Sequence, residues 1–181
     1  LRIEDNAALY NASINQEYFS LFVFDKEYWS QTDRSVNQLK FALDSLTELE
    51  AKLKEFNVHL YVFEGNLGDL GNYLNKCYSN LNLHMNHTTE TEYFSQNLRK
   101  LSKENPLNLI KYKDFGIQLS KQNRDIWARD WKIHMKSKTF DIPLVNKNLS
   151  TLDLPTFSKF KTNLKQSSPH TQKGGTSSGK D

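Results

Sequence analysis

The sequence predicts an α/β protein, an open Rossmann-like parallel sheet with helices on both faces. Short apolar runs such as "LFVF" and "LYVF" have the length of strands and little alternation, as strands covered on both faces do. The stretches between them repeat their apolar residues at helical spacing. The two kinds of segment also alternate along the chain, and parallel neighbours need crossovers that lay helices over the sheet.

The opening "LRIEDNAALYNAS" places a polar turn, capped by Asp5 or Asn6, before a short amphipathic helix carrying Ala7, Ala8, Leu9 and Ala12. In "YFSLFVFDKEYW" the residues Phe19, Leu21, Phe22, Val23 and Phe24 form a strand that stops at Asp25. Next, "SQTDRSVNQLKFALDSLTELEAKLKEFNV" reads as a long helix started by Thr32 or Asp33. Its apolar face carries Val36, Leu39, Leu43, Leu46, Leu49 or Leu53, and Phe56. That face lasts about three heptads, which suits a helix on a sheet better than a coiled coil. A second strand, "HLYVFEG", closes at Gly65, and "NLGDLGNYLNKCY" follows as a helix with Asn66 or Asp69 near its start.

"LNLHMN" is a third strand and "TETEYFSQNLRKLSKEN" a helix whose acidic start and basic end complement its dipole. "PLNLIKYKDFGI" supplies a further strand and loop. The last helix is "SKQNRDIWARDWKIHMKSK", where Ile126 or Trp127, Trp131 and Met135 recur at four-residue steps while Arg124, Arg129, Lys132 and Lys136 take other sides. From about Asp141 the periodicity dissolves. The stretch "DIPLVNKNLSTLDLPTFSKFKTNLKQ" holds two of the four prolines, the composition of a linker that touches a surface without forming a core. The closing "SSPHTQKGGTSSGKD" is expected to be disordered in isolation. The expected division is an α/β domain over 1–140 and a linker with tail over 141–181.

Composition narrows the function. The chain has 181 residues, 37% hydrophobic and 25% charged, enough for one ordinary domain with a core and a tail. Its net charge of +3, from 24 basic and 21 acidic residues, gives little support to a nonspecific nucleic-acid field. One cysteine, Cys77, excludes an intramolecular disulfide and a cysteine zinc site, and points to a reducing, intracellular compartment. Sequons at Asn11, Asn86 and Asn148 carry little weight in a chain so rich in Asn, Ser and Thr. No apolar run approaches the roughly 20 residues of a membrane helix.

Three constellations invite a chemical reading. Gly65, Gly68 and Gly71 follow a strand, but the dinucleotide fingerprint needs two glycines separated by one residue. His84 and His87 lie at a strand exit, where a spacing of three points them to opposite sides, so no metal is expected there. Trp127 and Trp131, interleaved with basic residues, suit either stacking on nucleic acid or, as the commoner use of large aromatics, packing into a domain interface.

Read together, "LRIEDNAAL", "FVFDKEYWSQTDRSVNQLKFALDSLTELEAKLKEFNVHLYVFEGN" and "RDIWARDWKIHM" resemble the N-terminal α/β domain of the photolyase and cryptochrome family. The likeness covers about residues 1–140 and is strongest from Asp25 to Gly65. Family members typically begin with a strand and "WFRRDLR" followed by "DNPAL", so "LRIEDNAAL" matches the position just after a first strand. "FGIQLSKQNRDIW" and "WKIHM" are similar to a bacterial-type deoxyribodipyrimidine photolyase subgroup, and "TQKGGTSSGK" looks like the "GG" turn that opens the FAD-binding domain.

The resemblance implies a fragment, an antenna-type α/β domain without its first strand and without the helical domain that holds FAD, the electron-relay tryptophans and most of the DNA groove. The implied partners are that helical domain and, through the parent, damaged DNA. The implied cofactors are FAD, outside this chain, and a folate or deazaflavin antenna with no ligands assigned. Where the subgroup carries an Arg-Asp pair this chain has Gln96 and Asn97, and Trp127 and Trp131 do not match the relay. No catalytic, cofactor-binding or metal-ligating residue is assigned, and the chain alone is expected to be inactive. In the family the first strand is central, so its absence would leave unpaired backbone groups inside the sheet. At about 1–3 kcal/mol each, against net stabilities of about 5–15 kcal/mol, these imply marginal folding in isolation. The rival readings are an α/β interaction module in signalling, docking through the Trp127 face, and an unrelated nucleotide-binding α/β protein of universal-stress or electron-transfer-flavoprotein type.

Overall fold

The computed structural model describes residues 2–15, 17–86, 92–104, 107–113, 123–147, 152–160 and 172–179. Strands β1 (Ser20–Phe24) and β2 (Leu60–Glu64) pair in parallel, Ser20 opposite Leu60 and Phe24 opposite Glu64. Strands β3 (Asn82–Asn86) and β4 (Asn108–Tyr112) do the same, Asn82 opposite Asn108. The parallel direction is as predicted. The described strands form two separate two-stranded sheets.

Among the described residues the α-helices are α1 (Ala7–Ser13), α2 (Lys26–Trp29), α3 (Val36–Lys54), α4 (Leu67–Cys77), α5 (Glu92–Glu104) and α6 (Arg124–Lys136). Local chemistry sets where they begin. Asn6 caps α1 by accepting from the Leu9 N–H at 3.1 Å. Helix α3 starts later than Thr32 or Asp33, because Ser35 and Gln38 close a reciprocal capping box and satisfy two orphan N–H groups. The residues just before belong to α2, a short helix capped by Asp25 that the sequence reading passed over. Both candidates for the start of α4 are used, Asn66 as cap and Asp69 as its box partner. Gly65, which turns β2 into that helix, has φ +147, a left-handed conformation open to glycine at little cost.

Strand alternation distributes the apolar side chains between two layers. On one face Phe22 and Leu60 pack with Leu9 of α1 and Leu46 and Leu53 of α3. On the other, Leu21, Val23 and Phe63 meet Leu70 and Leu74 of α4, together with Leu81 and Leu107 beside β3 and β4. Helix α4 thus spans both half-sheets, and α1 packs on β3 while its Leu9 joins the layer over β1. Helices on both faces are therefore realised.

The two paired strands differ in burial. Leu60 to Phe63 of β2 are buried, whereas Leu21, Phe22 and Val23 of β1 are only half-buried. The reason is what lies along each outer edge. Beside β2, Val62 N–H donates to the Pro155 carbonyl at 2.9 Å and Tyr61 bridges to Thr156, whereas β1 faces a cleft.

The stretch beyond Asp141 does more than touch the surface. Asn146 and Leu152 are buried, and the Asn146 side chain accepts from Tyr18 N–H at 3.3 Å and donates to the carbonyls of Tyr18 and Asn57 at 3.0 and 3.3 Å. The Tyr18 hydroxyl donates to the Leu144 carbonyl, and Ser158 N–H to Glu50 at 3.0 Å. A chain without periodicity can dock this firmly because it is held by hydrogen bonds to individual backbone and side-chain groups, which hydropathy patterns do not reveal. Part of the tail expected to be disordered, residues 172–179, forms turns against α3, where Gly174 sits under the Phe41 carbonyl and Ser177 N–H donates to Glu48. The rest, 167–171 and 180–181, lies outside the described residues.

Candidate functional site

Ligands of open α/β sheets bind beyond the carboxyl ends of the strands. At that end of β1 stands Asp25. Its Oδ1 accepts from the N–H groups of Glu27 and Tyr28 at 2.9 and 3.2 Å, which builds α2, and its Oδ2 accepts from the Tyr93 hydroxyl of α5 at 2.8 Å. The Tyr28 ring lies 5.2 Å from Trp29 and 6.4 Å from Tyr93, and carries the Arg34 guanidinium 4.3 Å over its face. Burial, with the bond to Asp25 second, pushes the Tyr93 phenol well above its usual range, so it remains a proton donor to the carboxylate. The sequence signal for this hub was an Asp directly after an apolar run and before "KEYW", the pattern of a helix cap.

The cluster satisfies itself. Asp25 has three donors, and the cation on the Tyr28 face occupies the surface a flat ring system would stack against. The described residues at this end therefore do not present a formed cradle for a flavin or other chromophore.

The second concavity lies between the half-sheets, a cleft of about 780 Å³ lined by Leu21 and Phe22 of β1, Leu83 and Met85 of β3, and Leu9 and Leu46 from the helices above. That volume falls within the range of small-molecule pockets, about 300–1,000 Å³.

The residues singled out in the sequence resolve as follows. Gly68 and Gly71 lie inside α4, and the N–H groups of Gly68 and Asp69 at its start are taken by Asn66 Oδ1 at 2.8 and 3.0 Å, leaving those two donors to no phosphate. His84 sits within β3, its Nδ1 2.8 Å from the Tyr112 hydroxyl and its ring stacked on Tyr112 across the strand pair; His87 lies outside the described residues. Among the described residues no group of three or more His, Cys, Asp or Glu could hold a metal ion. Cys77 is an exposed thiol at the end of α4.

Gln96 donates to Glu92 and Asn97 to the Tyr93 carbonyl, both along α5. Asn86 is structural, its Oδ1 accepting from Ala8 N–H at 3.0 Å and its Nδ2 donating to Asn6 at 2.9 Å. Trp127 and Trp131 stack on each other, centroids 5.9 Å apart and planes within 11°, and stay 39% and 37% exposed. Ile133 and Met135 of the same helix are also exposed.

Burial holds the His84 imidazole below its usual range. The folded chain then resists a proton that the unfolded chain accepts near pH 6.5, so stability present above that pH falls as the solution is acidified and levels off below the lowered folded value. Urea midpoints measured from pH 7.5 to 5 are expected to fall for the parent chain more steeply than for His84→Gln.

The fold thus defines a parallel α/β domain covered by helices on both faces, with a self-satisfied acidic and aromatic cluster at the strand ends. The family model for DNA photolyase matches residues 1–104, more than half of the chain. The chain belongs to the DNA photolyase family.

Cryptochrome-1 of Aedes aegypti is 36% identical over 73 residues, covering 36% of this chain and 13% of that protein. A (6-4)DNA photolyase of Arabidopsis thaliana is 34% identical over 80 residues, covering 39% and 14%. In fold the chain is similar to an archaeal photolyase from Sulfolobus tokodaii, solved with two FAD molecules, at TM-score 0.59 and 20% identity over 80% of this chain and 35% of that one. The matches therefore span a small part of each relative's length. They do not place the chain in the bacterial-type subgroup, and much of "FGIQLSKQNRDIW" lies outside the described residues.

Among the described residues no helix is long and apolar enough to cross a membrane.

Proposed function

We propose that this chain is the antenna-type α/β domain of an intracellular photolyase- or cryptochrome-like flavoprotein. The blue-light-driven work of that protein, DNA photorepair or light sensing, is done in polypeptide beyond residues 1–181. The observation that supports this most directly is the family match over residues 1–104, which takes in α1 to α5 and the strands β1 to β3.

On this reading residues 1–140 form the domain and 141–181 lead from it toward a helical FAD-binding domain, through which damaged DNA is reached. FAD supplies the photochemical electron transfer in that domain, and the present residues position the domain rather than take part in the chemistry. A folate or deazaflavin antenna is a further expected cofactor of the whole protein; no residue of this chain is assigned to it. The exposed Trp127 and Trp131 face also keeps the interaction-module reading in view, since a stacked aromatic pair beside Ile133 is an anchor for a partner surface.

Absorbance at 450 nm of the purified 181-residue chain after incubation with FAD and gel filtration tests the reading. Less than one-tenth equivalent of flavin is expected to co-elute. Retention of a full equivalent overturns the assignment of the flavin to other polypeptide.

A further inference from the structure

We propose that the outer side of α6 is a docking site for an acidic amphipathic helix of a partner protein, which seats aliphatic side chains on Ile126 and Ile133 and carboxylates on Arg129 and Lys136. The proposal rests on the reading of α6 as a contact surface and does not depend on where the flavin binds.

The spacing of α6 sorts its side chains into two stripes. Ile126, Arg129, Ile133 and Lys136 recur at steps of three and four, so they line one side of the helix. Trp127, Trp131 and His134 fall on the opposite side, where the rings engage one another: the tryptophans are stacked, and the Trp131 ring lies 6.3 Å from His134. The first stripe is the more open one. Ile133 is 63% exposed, Ile126 42% and the Arg129 side chain 68%. A single exposed isoleucine is ordinary, but two of them one heptad apart, with cations between and beyond, make a strip shaped for a second helix.

Charge identifies the occupant. Arg129 bonds its neighbour Asp130 at 3.3 Å, and Lys138, just beyond the helix, pairs with Asp141 at 3.6 Å. Among the described residues Lys132 and Lys136 form no ion pair, and the other acid of α6, Asp125, lies in the first turn at the opposite end from Lys136. Isoleucines flanked by unpaired cations match a helix whose apolar stripe is flanked by carboxylates, which is how flanking charges select partners in paired helices. A second copy of α6 would set Arg129 and Lys136 against like charges. A single-stranded nucleic acid uses free aromatic faces between its phosphate contacts, and on this side isoleucine stands there. With 13 residues α6 is about 20 Å long, so the complementary segment needs two heptads.

The test titrates the 181-residue chain into the fluorescein-labelled peptide ELAELEAELAELEA-amide, whose leucines follow the same three-and-four steps between glutamates, and reads anisotropy at low salt. Saturable binding is expected. The peptide LLEEAALLEEAAEE-amide, of the same composition without an apolar stripe, is expected to bind about tenfold more weakly, as is the first peptide to the Ile133→Ser or Lys136→Glu chain. The double variant Arg129→Glu with Lys136→Glu is expected to bind KLAKLKAKLAKLKA-amide in place of the acidic peptide.

No anisotropy change at millimolar chain overturns the proposal. So does equal binding of the two acidic peptides, which shows charge attraction alone. If Trp127→Ala removes binding and Ile133→Ser does not, the contact lies on the tryptophan side: the proposal fails while α6 remains a contact surface. A dimer seen by light scattering that Ile133→Ser dissolves assigns the strip to a second copy, and an oligothymidylate of the same length that binds more tightly than the acidic peptide assigns it to nucleic acid; either result overturns the proposal. Circular dichroism of each variant is compared with the unmodified chain, and Ile126→Ser, expected to weaken binding by the same factor, replaces any variant that loses helix.

Discussion

Asn146→Leu is expected to lower the stability of the domain by about 3 kcal/mol, the sum of leaving buried groups unpaired at roughly 1–3 kcal/mol each. The side chain is 3% exposed and clamps three backbone groups, the N–H and carbonyl of Tyr18 and the carbonyl of Asn57. Leucine fills the volume and offers no hydrogen bond, so the Tyr18 groups just before β1 lose their partners inside the protein. The loss is a large share of a net stability of about 5–15 kcal/mol. Urea denaturation checks it: the midpoint should fall with the slope unchanged, and the exposed neighbour Lys147→Ala should shift it little. A midpoint that stays in place would show that residues 140–147 lie against the domain without holding it.

Leu74→Ala is expected to cost about 3 kcal/mol, within the roughly 2–5 kcal/mol range for emptying a well-packed leucine site. Leu74 is fully buried in α4, where the Phe63 layer meets the residues around Leu81 and Leu107. Because that helix spans both half-sheets, the cavity loosens the hold of one on the other, and thermal melting followed by circular dichroism should show a lower and broader transition. Met135→Ala, on the exposed side of α6, should change the melt by no more than about 0.5 kcal/mol.

The two substitutions fall on opposite sides of what the sequence makes legible. Leu74 lies in "NLGDLGNYLNKCY", read as a helix from its cap and spacing, and its burial follows from that periodicity. Asn146 lies in a stretch without periodicity, read as a linker, and nothing in its neighbours marks it as a buried clamp. Caps were legible where polar residues precede an apolar repeat, as at Asn66. They were misread before α3, where Thr32, Asp33 and Ser35 compete and only the return bond from Gln38 chooses Ser35. The Asp25 and Tyr93 pairing could not be read because 68 residues separate the partners.

By itself, then, the sequence determined the order of strands and helices, their parallel connection and the family resemblance, since periodicity, capping and motif spacing are properties of neighbouring residues. Only the tertiary structure decided that the stretch after Asp141 covers the outer edge of β2 and that Asp25 gathers three donors. Those outcomes depend on which backbone edges meet across long separations, and no local pattern encodes a meeting of that kind.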